Sequence, residues 1–248
     1  MANQSETGHA KNVANFGTLT TVVNGFGAAY NPSKQTIVLT ALVTLSEGAK
    51  NSMRLVNGAL GQSDIAKSAR ELAFEPLSKL ATRIINAIRS SDTSEQIVDA
   101  AQSLVRKIQG KRATAKKTEE EKAALLAEGT TVKEISSSQM SFDNRMDSLD
   151  RLVQLLGSIP QYSPNEVELQ VGTLTDYYNT LSDSNTAATE AKANLSNARL
   201  ARNEILYKPV TGLVDIALSV KTYTKSLFGA TSAQYKQVSG LAFKAQKS

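Results

Sequence analysis

Tyr30-Asn31-Pro32 recurs as Tyr162-Ser163-Pro164, an offset of 132 residues. The same offset sets Leu42 over Leu174, Ser52 over Ser184, Ala66 over Ala198, Ala69 over Ala201 and Arg70 over Arg202. One inserted residue then brings Phe74-Glu75-Pro76 over Tyr207-Lys208-Pro209, and Leu80 over Leu213. Upstream, an offset of 130 pairs Phe16, Leu19, Val23, Phe26 and Gly27 with Met146, Leu149, Val153, Leu156 and Gly157. Near the ends, Thr93-Ser94-Glu95-Gln96 pairs with Thr231-Ser232-Ala233-Gln234. An ordered series of this kind marks a duplicated unit. The chain is therefore read as a flexible tail at 1–11, a helical unit at 12–110, a charged linker at 111–140 and a second helical unit at 141–248.

Each unit has helical periodicity. Phe142, Met146, Leu149, Leu152, Val153 and Leu156 form a stripe of period 3.6 that stops near Gly157 and Pro160. Ser163-Pro164-Asn165-Glu166 then has the order of a capping box with proline at the first helical position. A long helix is expected from about 165 to 206, and its counterpart after Asn31-Pro32. Its seam repeats every seven residues: Leu174, Leu181, Ala188, Leu195 and Arg202 beside Tyr177, Ser184, Ala191, Ala198 and Ile205. That spacing implies a left-handed, coiled-coil-like crossing. The first copy repeats the rows with Leu42, Ala49, Val56, Ser63 and Arg70 beside Leu45, Ser52, Ala59, Ala66 and Ala73. Gly58 and Gly61 lie inside this helix, where each costs about 1 kcal/mol, so they either admit a neighbouring backbone or break it; a continuous helix is expected. A third segment begins after Pro76 and Pro209. A fourth is striped by Ile97, Ala101, Leu104, Val105 and Ile108, and in the second copy by Tyr235, Val238, Ser239, Ala242 and Phe243. In the linker, Thr118-Glu119-Glu120-Glu121 predicts a short helix ended by Gly129. The fold class is all-α: two tandem diverged helical-bundle repeats, each with a long central helix, related by a pseudo-twofold.

The 248 residues contain no Cys, no Trp and one His. Disulfide scaffolds, thiolate zinc sites, cysteine nucleophiles and multi-histidine metal sites are thereby excluded. A Ser-His-Asp triad would depend on His9, in the tail. No Glu-x-x-His, phosphate-binding glycine loop or dinucleotide fingerprint occurs. Glu166 and Glu168 stand two apart on a helix and do not share a face. The chain is accordingly read as non-enzymatic, with no catalytic residue, cofactor, metal or small-molecule substrate. The recurring Arg70 and Arg202 read either as a clamp for an anion across the pseudo-twofold or as arginines that snorkel or pair with carboxylates.

Charge is unevenly placed. Residues 1–105 sum to +1, 106–140 to +3, 141–204 to −4 and 205–248 to +5. Adjacent blocks of opposite sign can steer a second copy or an anionic partner. A basic cluster free of acids comprises Arg106, Lys107, Lys111, Arg112, Lys116 and Lys117, and Lys221-Thr222-Tyr223-Thr224-Lys225 interleaves cations with an aromatic ring. Tyr235-Lys236 does the same. The six-residue cluster is the candidate anionic-partner patch, and with the interleaved stretches it is the basis of a nucleic-acid reading. From Asn12 to Ser46 the only charge is Lys34, whereas Asn144 to Tyr178 carries Arg145, Asp147, Asp150, Arg151, Glu166, Glu168 and Asp176. Duplicated units share an inner face, so the difference is expected on the outside. Phe16, Leu19, Val22, Val23, Phe26, Tyr30, Ile37 and Val38 are the candidate interface.

The polar start, Met-Ala-Asn-Gln-Ser-Glu, is not a secretory signal, and no stretch reads as a membrane span, so a cytoplasmic location is expected. The reading is a structural or interaction protein that self-associates into an oligomer or filament through the uncharged face of the first repeat. The alternatives are a membrane-active helical bundle, like the helical pore-forming toxins, and a nucleic-acid-binding protein.

Overall fold

The computed structural model describes residues 6–111 and 140–245. Among these residues the regular structure is helical, with no strand. The helices are α1 (Glu6–Gly25), α2 (Leu39–Phe74), α3 (Leu77–Arg89), α4 (Glu95–Gln109), α5 (Phe142–Gly157), α6 (Val171–Tyr207), α7 (Leu213–Phe228) and α8 (Ala233–Ser239). Short 3-10 turns at Gly27–Ala29, Gln35–Ile37 and Val167–Leu169 lead into the long helices. No described helix is long and apolar enough to cross a membrane.

Residues 6–11, read from the sequence as a flexible tail, are the first turns of α1, and His9 is buried. The capping box expected at Ser163–Glu166 does not start a helix. Tyr162 folds the chain instead, donating its hydroxyl to the Leu169 carbonyl at 2.8 Å, and α6 begins only at Val171. Tyr30 donates likewise to the Ile37 carbonyl at 2.8 Å, ahead of α2. Both tyrosines are buried, so each hydroxyl satisfies a carbonyl that would otherwise be orphaned. α2 passes through Gly58 and Gly61 unbroken, and a Cβ at either would meet nothing within 4 Å. The neighbouring backbone that these glycines were read to admit is therefore not supplied by the described residues of this chain. Residues 112–139, with the predicted linker helix, lie outside the described residues.

The chain forms two compact units: Met1–Ser63 with Ala191–Ser248, and Asp64–Glu190. They do not follow the segments 12–110 and 141–248 read from the sequence. Each draws on both, because α2 and α6 each give residues to both units.

The core of the Asp64–Glu190 unit is built from regular stripes. Leu77, Ala81, Ile84, Ile85 and Ile88 of α3 face Ala101, Val105 and Ile108 of α4. Leu149, Leu152, Val153 and Leu156 of α5 and Leu174 and Leu181 of α6 complete it. Burying a side chain of this size contributes about 1.5–3 kcal/mol. Polar groups finish the helix ends. Arg145 of α5 donates its Nε to the Ile108 carbonyl at 3.2 Å and lies over the Phe74 ring at 5.5 Å, and Tyr177 donates to the Ala73 carbonyl at 2.8 Å. These contacts occupy the last carbonyls of α2 and α4, which have no partner within their own helices.

The other unit packs Phe16, Leu19 and Val23 of α1 against Leu42 and Ala49 of α2, Leu206 of α6, and Leu213, Ile216, Ala217 and Val220 of α7. Val238 of α8 closes one side. Ser94 and Ser232 both adopt extended N-cap geometry, with φ −62° and −63°, ahead of α4 and α8. The two helices then differ. α4 runs 15 residues, but α8 stops after 7, so Ala242 and Phe243 are not helical as their stripe predicted. Gly240 follows the last turn of α8, and side chains of α1 and α7 capture the main chain beyond it.

Candidate interaction surfaces

Phe16, Leu19, Val23, Tyr30 and Ile37 are between 0% and 8% exposed, inside their own unit's core. Val22, Phe26 and Val38 are half-buried. The expectation that these eight present an outer apolar surface is corrected. They are the inner stripe of α1 and the loop after it, and the large apolar residues of a helix stripe go to the nearest core. The outside of this stretch is made of other residues: Ala14, Thr18, Thr21, Asn24, Asn31, Ser33, Gln35, Thr36, Thr40, Val43 and Thr44 are exposed, and Lys34 is the only charge among residues 12–46. The corresponding exterior of α5 and the start of α6 exposes Asp147, Arg151, Glu166, Glu168 and Asp176. Exposed large apolar residues recur along α2, with Leu55 60%, Ile65 66% and Leu72 68% exposed.

Of the basic cluster, Arg106 is half-buried and Lys107 and Lys111 are exposed at the C-terminal end of α4, where cations complement the helix dipole. Arg112, Lys116 and Lys117 lie outside the described residues. The second basic stretch is partly structural. Tyr223 packs edge-on against Tyr30 with ring centroids 5.2 Å apart, and Lys221 donates to the carbonyls of Ser239 at 2.9 Å and Leu241 at 2.8 Å. Burial pushes the Lys221 ammonium below the usual lysine value. Lys225 and Lys236 remain exposed.

Arg70 and Arg202 fall in different units. Arg70 lies over the Phe142 ring at 4.1 Å and donates to Asn185 Oδ1 at 3.1 Å, and Asn185 donates in turn to Asp143 at 2.8 Å. Arg202 is buried and donates from Nε and a terminal nitrogen to Asn203 Oδ1 at 3.1 and 2.9 Å. Each is thus held by neighbours in its own unit. Among the described residues no group of three or more His, Asp or Glu side chains could hold a metal ion.

The strongest polar constellation was not read from the sequence. His9 Nδ1 and the Tyr207 hydroxyl are 2.7 Å apart, and Asn12 Nδ2 donates to the same hydroxyl at 3.3 Å. Asn12 also donates to the Lys244 carbonyl at 2.9 Å and accepts from the Lys244 N–H at 3.0 Å, while Asn15 donates to the Ala242 carbonyl at 2.7 Å. A signal existed. Asn12, only 2% exposed, is the residue that the 130-residue offset pairs with Phe142, so an amide stands on an inward face where the pairing sets a ring. No protein-family model, curated protein or solved structure matches this chain.

Proposed function

We propose that the protein is a non-enzymatic structural protein that self-associates into an oligomer or filament. The observation that carries this reading is the segregation of charge between its compact units. Met1–Ser63 with Ala191–Ser248 holds thirteen basic and four acidic residues, a net +9, and Asp64–Glu190 holds fifteen and nineteen, a net −4. A basic unit on one copy attracts the acidic unit of the next. Unlike surfaces of this kind form heterologous contacts, which close into rings or run on as filaments. The exterior of residues 12–46, with Val43 exposed and Lys34 its one charge, adds a surface that needs little desolvation of charge.

The same proposal includes the origin of the chain as two diverged copies of one helical unit about a pseudo-twofold, with coiled-coil-like pairing of the long helices. The matched Tyr30–Ile37 and Tyr162–Leu169 hydrogen bonds and the extended backbone that Ser94 and Ser232 share support it, although only Ser232 accepts a cap hydrogen bond, from Tyr235 N–H. Light scattering on a sizing column at low and high salt, with negative-stain images of the same samples, tests the assembly. A species larger than the monomer that shrinks as salt rises is expected. A strict monomer at high concentration and low salt overturns the proposal. Liposome leakage abolished by Val38→Asp or Thr44→Asp points instead to a membrane-active bundle. Retention on DNA or RNA that fades steeply with salt points to a nucleic-acid partner.

A further inference from the structure

After Gly240 the chain leaves α8 and runs non-helically across the unit formed by α1 and α7. Its main chain is held by side chains at three places. Asn12 makes a two-point pair with Lys244, donating to its carbonyl and accepting from its N–H. Asn15, one turn along α1, donates to the Ala242 carbonyl. Lys221 of α7 donates to the carbonyls of Ser239 and Leu241 and lies 5.8 Å from the Phe243 ring centroid. A side-chain amide offers the same donor and acceptor as a peptide group, so Asn12 pairs with the segment as a neighbouring strand would. Leu241 and Phe243 are only partly buried against the core, so apolar contact is a minor part of the attachment.

We propose that residues 241–245 are an exchangeable strap, and that the α1/α7 groove which holds them takes the strap of a second copy. The inference rests on the self-association reading and names a surface for it. Three features carry it. The recognised groups are main-chain carbonyls and one N–H, which the strap of another copy presents identically. Leu241 and Phe243 are only partly buried, so little apolar burial opposes release of the strap. A glycine joins it to a helix of only seven residues. From Gly240 an extended strap reaches roughly 17 Å to Ala245. Exchange replaces each contact by its equivalent, so the balance between docking in its own copy and in the next is set by concentration and chain entropy.

Lys11 and Ala245 are exposed, take no part in these contacts, and stand next to Asn12 and Lys244. The chain has no cysteine of its own. A Lys11→Cys, Ala245→Cys double variant treated with a short bismaleimide should cross-link within one chain. The two single variants, refolded together from denaturant at high concentration, should give the Lys11→Cys to Ala245→Cys heterodimer well above the twofold excess over each homodimer that random collision produces. Light scattering on the same samples separates the two ideas. Oligomers with only statistical cross-linking overturn strap exchange and leave self-association standing. Monomer alone overturns both, and absence of the intrachain cross-link in the double variant overturns the docked strap itself.

Discussion

Replacing Tyr30 by Phe removes one hydroxyl and leaves every ring contact in place. The lost bond is the 2.8 Å donation to the Ile37 carbonyl, between two residues 8% and 3% exposed. A net hydrogen bond contributes about 1 kcal/mol, and a buried carbonyl left unpaired raises the loss to about 1.5 kcal/mol at neutral pH. A second consequence follows from ionisation. Burial, and then the neighbouring Tyr223, push the Tyr30 hydroxyl well above its usual 10. The raised value means that the folded state keeps the proton that the unfolded chain releases. Its stabilisation is complete below pH 10 and is lost as pH rises above it. At pH 11, one unit above the unfolded value, the wild-type protein has lost about 1.4 kcal/mol through this residue and the Phe variant nothing. Contributions common to both proteins cancel in the difference. Urea unfolding at pH 7 and pH 11 should therefore show a gap of about 1.5 kcal/mol that closes nearly to zero. A gap that is the same at both pH values refutes the reasoning.

Further outcomes follow from the same geometry. Tyr162, pushed up to about 12 by burial and then by the charge of Glu166, should behave as Tyr30 does when changed to Phe, and because the two bonds share no partner the double variant should show the sum, checked by the same urea titrations. Gly212→Ala should destabilise by about 1–3 kcal/mol in thermal melts, because a Cβ there would sit 2.6 Å from the backbone N and O of Lys208. Val210→Gly should raise stability by about 1 kcal/mol in the same melts: Val210 is held at φ 68°, a region that disfavours β-branched residues, and it is 67% exposed, so little burial is lost.

The helices were legible in the sequence for a simple reason. Leu77, Ile84, Ile85 and Ile88, or Leu149, Leu152, Val153 and Leu156, carry their 3.6-residue period in the chain itself, and any apolar neighbour satisfies them. Where a helix starts or stops was less legible. The side chain that decides it can come from seven residues away, as Tyr162 does for Leu169, or from the far end of the chain, as Asn12 does for Lys244. The candidate interface was misplaced because lack of charge and exposure are different properties. Phe16, Leu19 and Val23 lie in an uncharged stretch, but as the largest apolar groups of α1 they belong to its inner stripe.

Composition alone removed cysteine and multi-histidine chemistry, since absent side chains cannot be supplied by folding. Local periodicity determined the all-helical class, because the hydrogen bonds of a helix close within the helix. The tertiary structure decided which helices share a core. Each of the two long helices has apolar residues along its whole length, and a core at one end does not cover them. α2 and α6 therefore each give residues to both units, and this division gathers the dispersed charge into one basic and one acidic unit. Seven-residue spacing states that a helix needs a neighbour and leaves open which neighbour it takes. Only packing resolves that choice, because it compares all the surfaces of the chain at once.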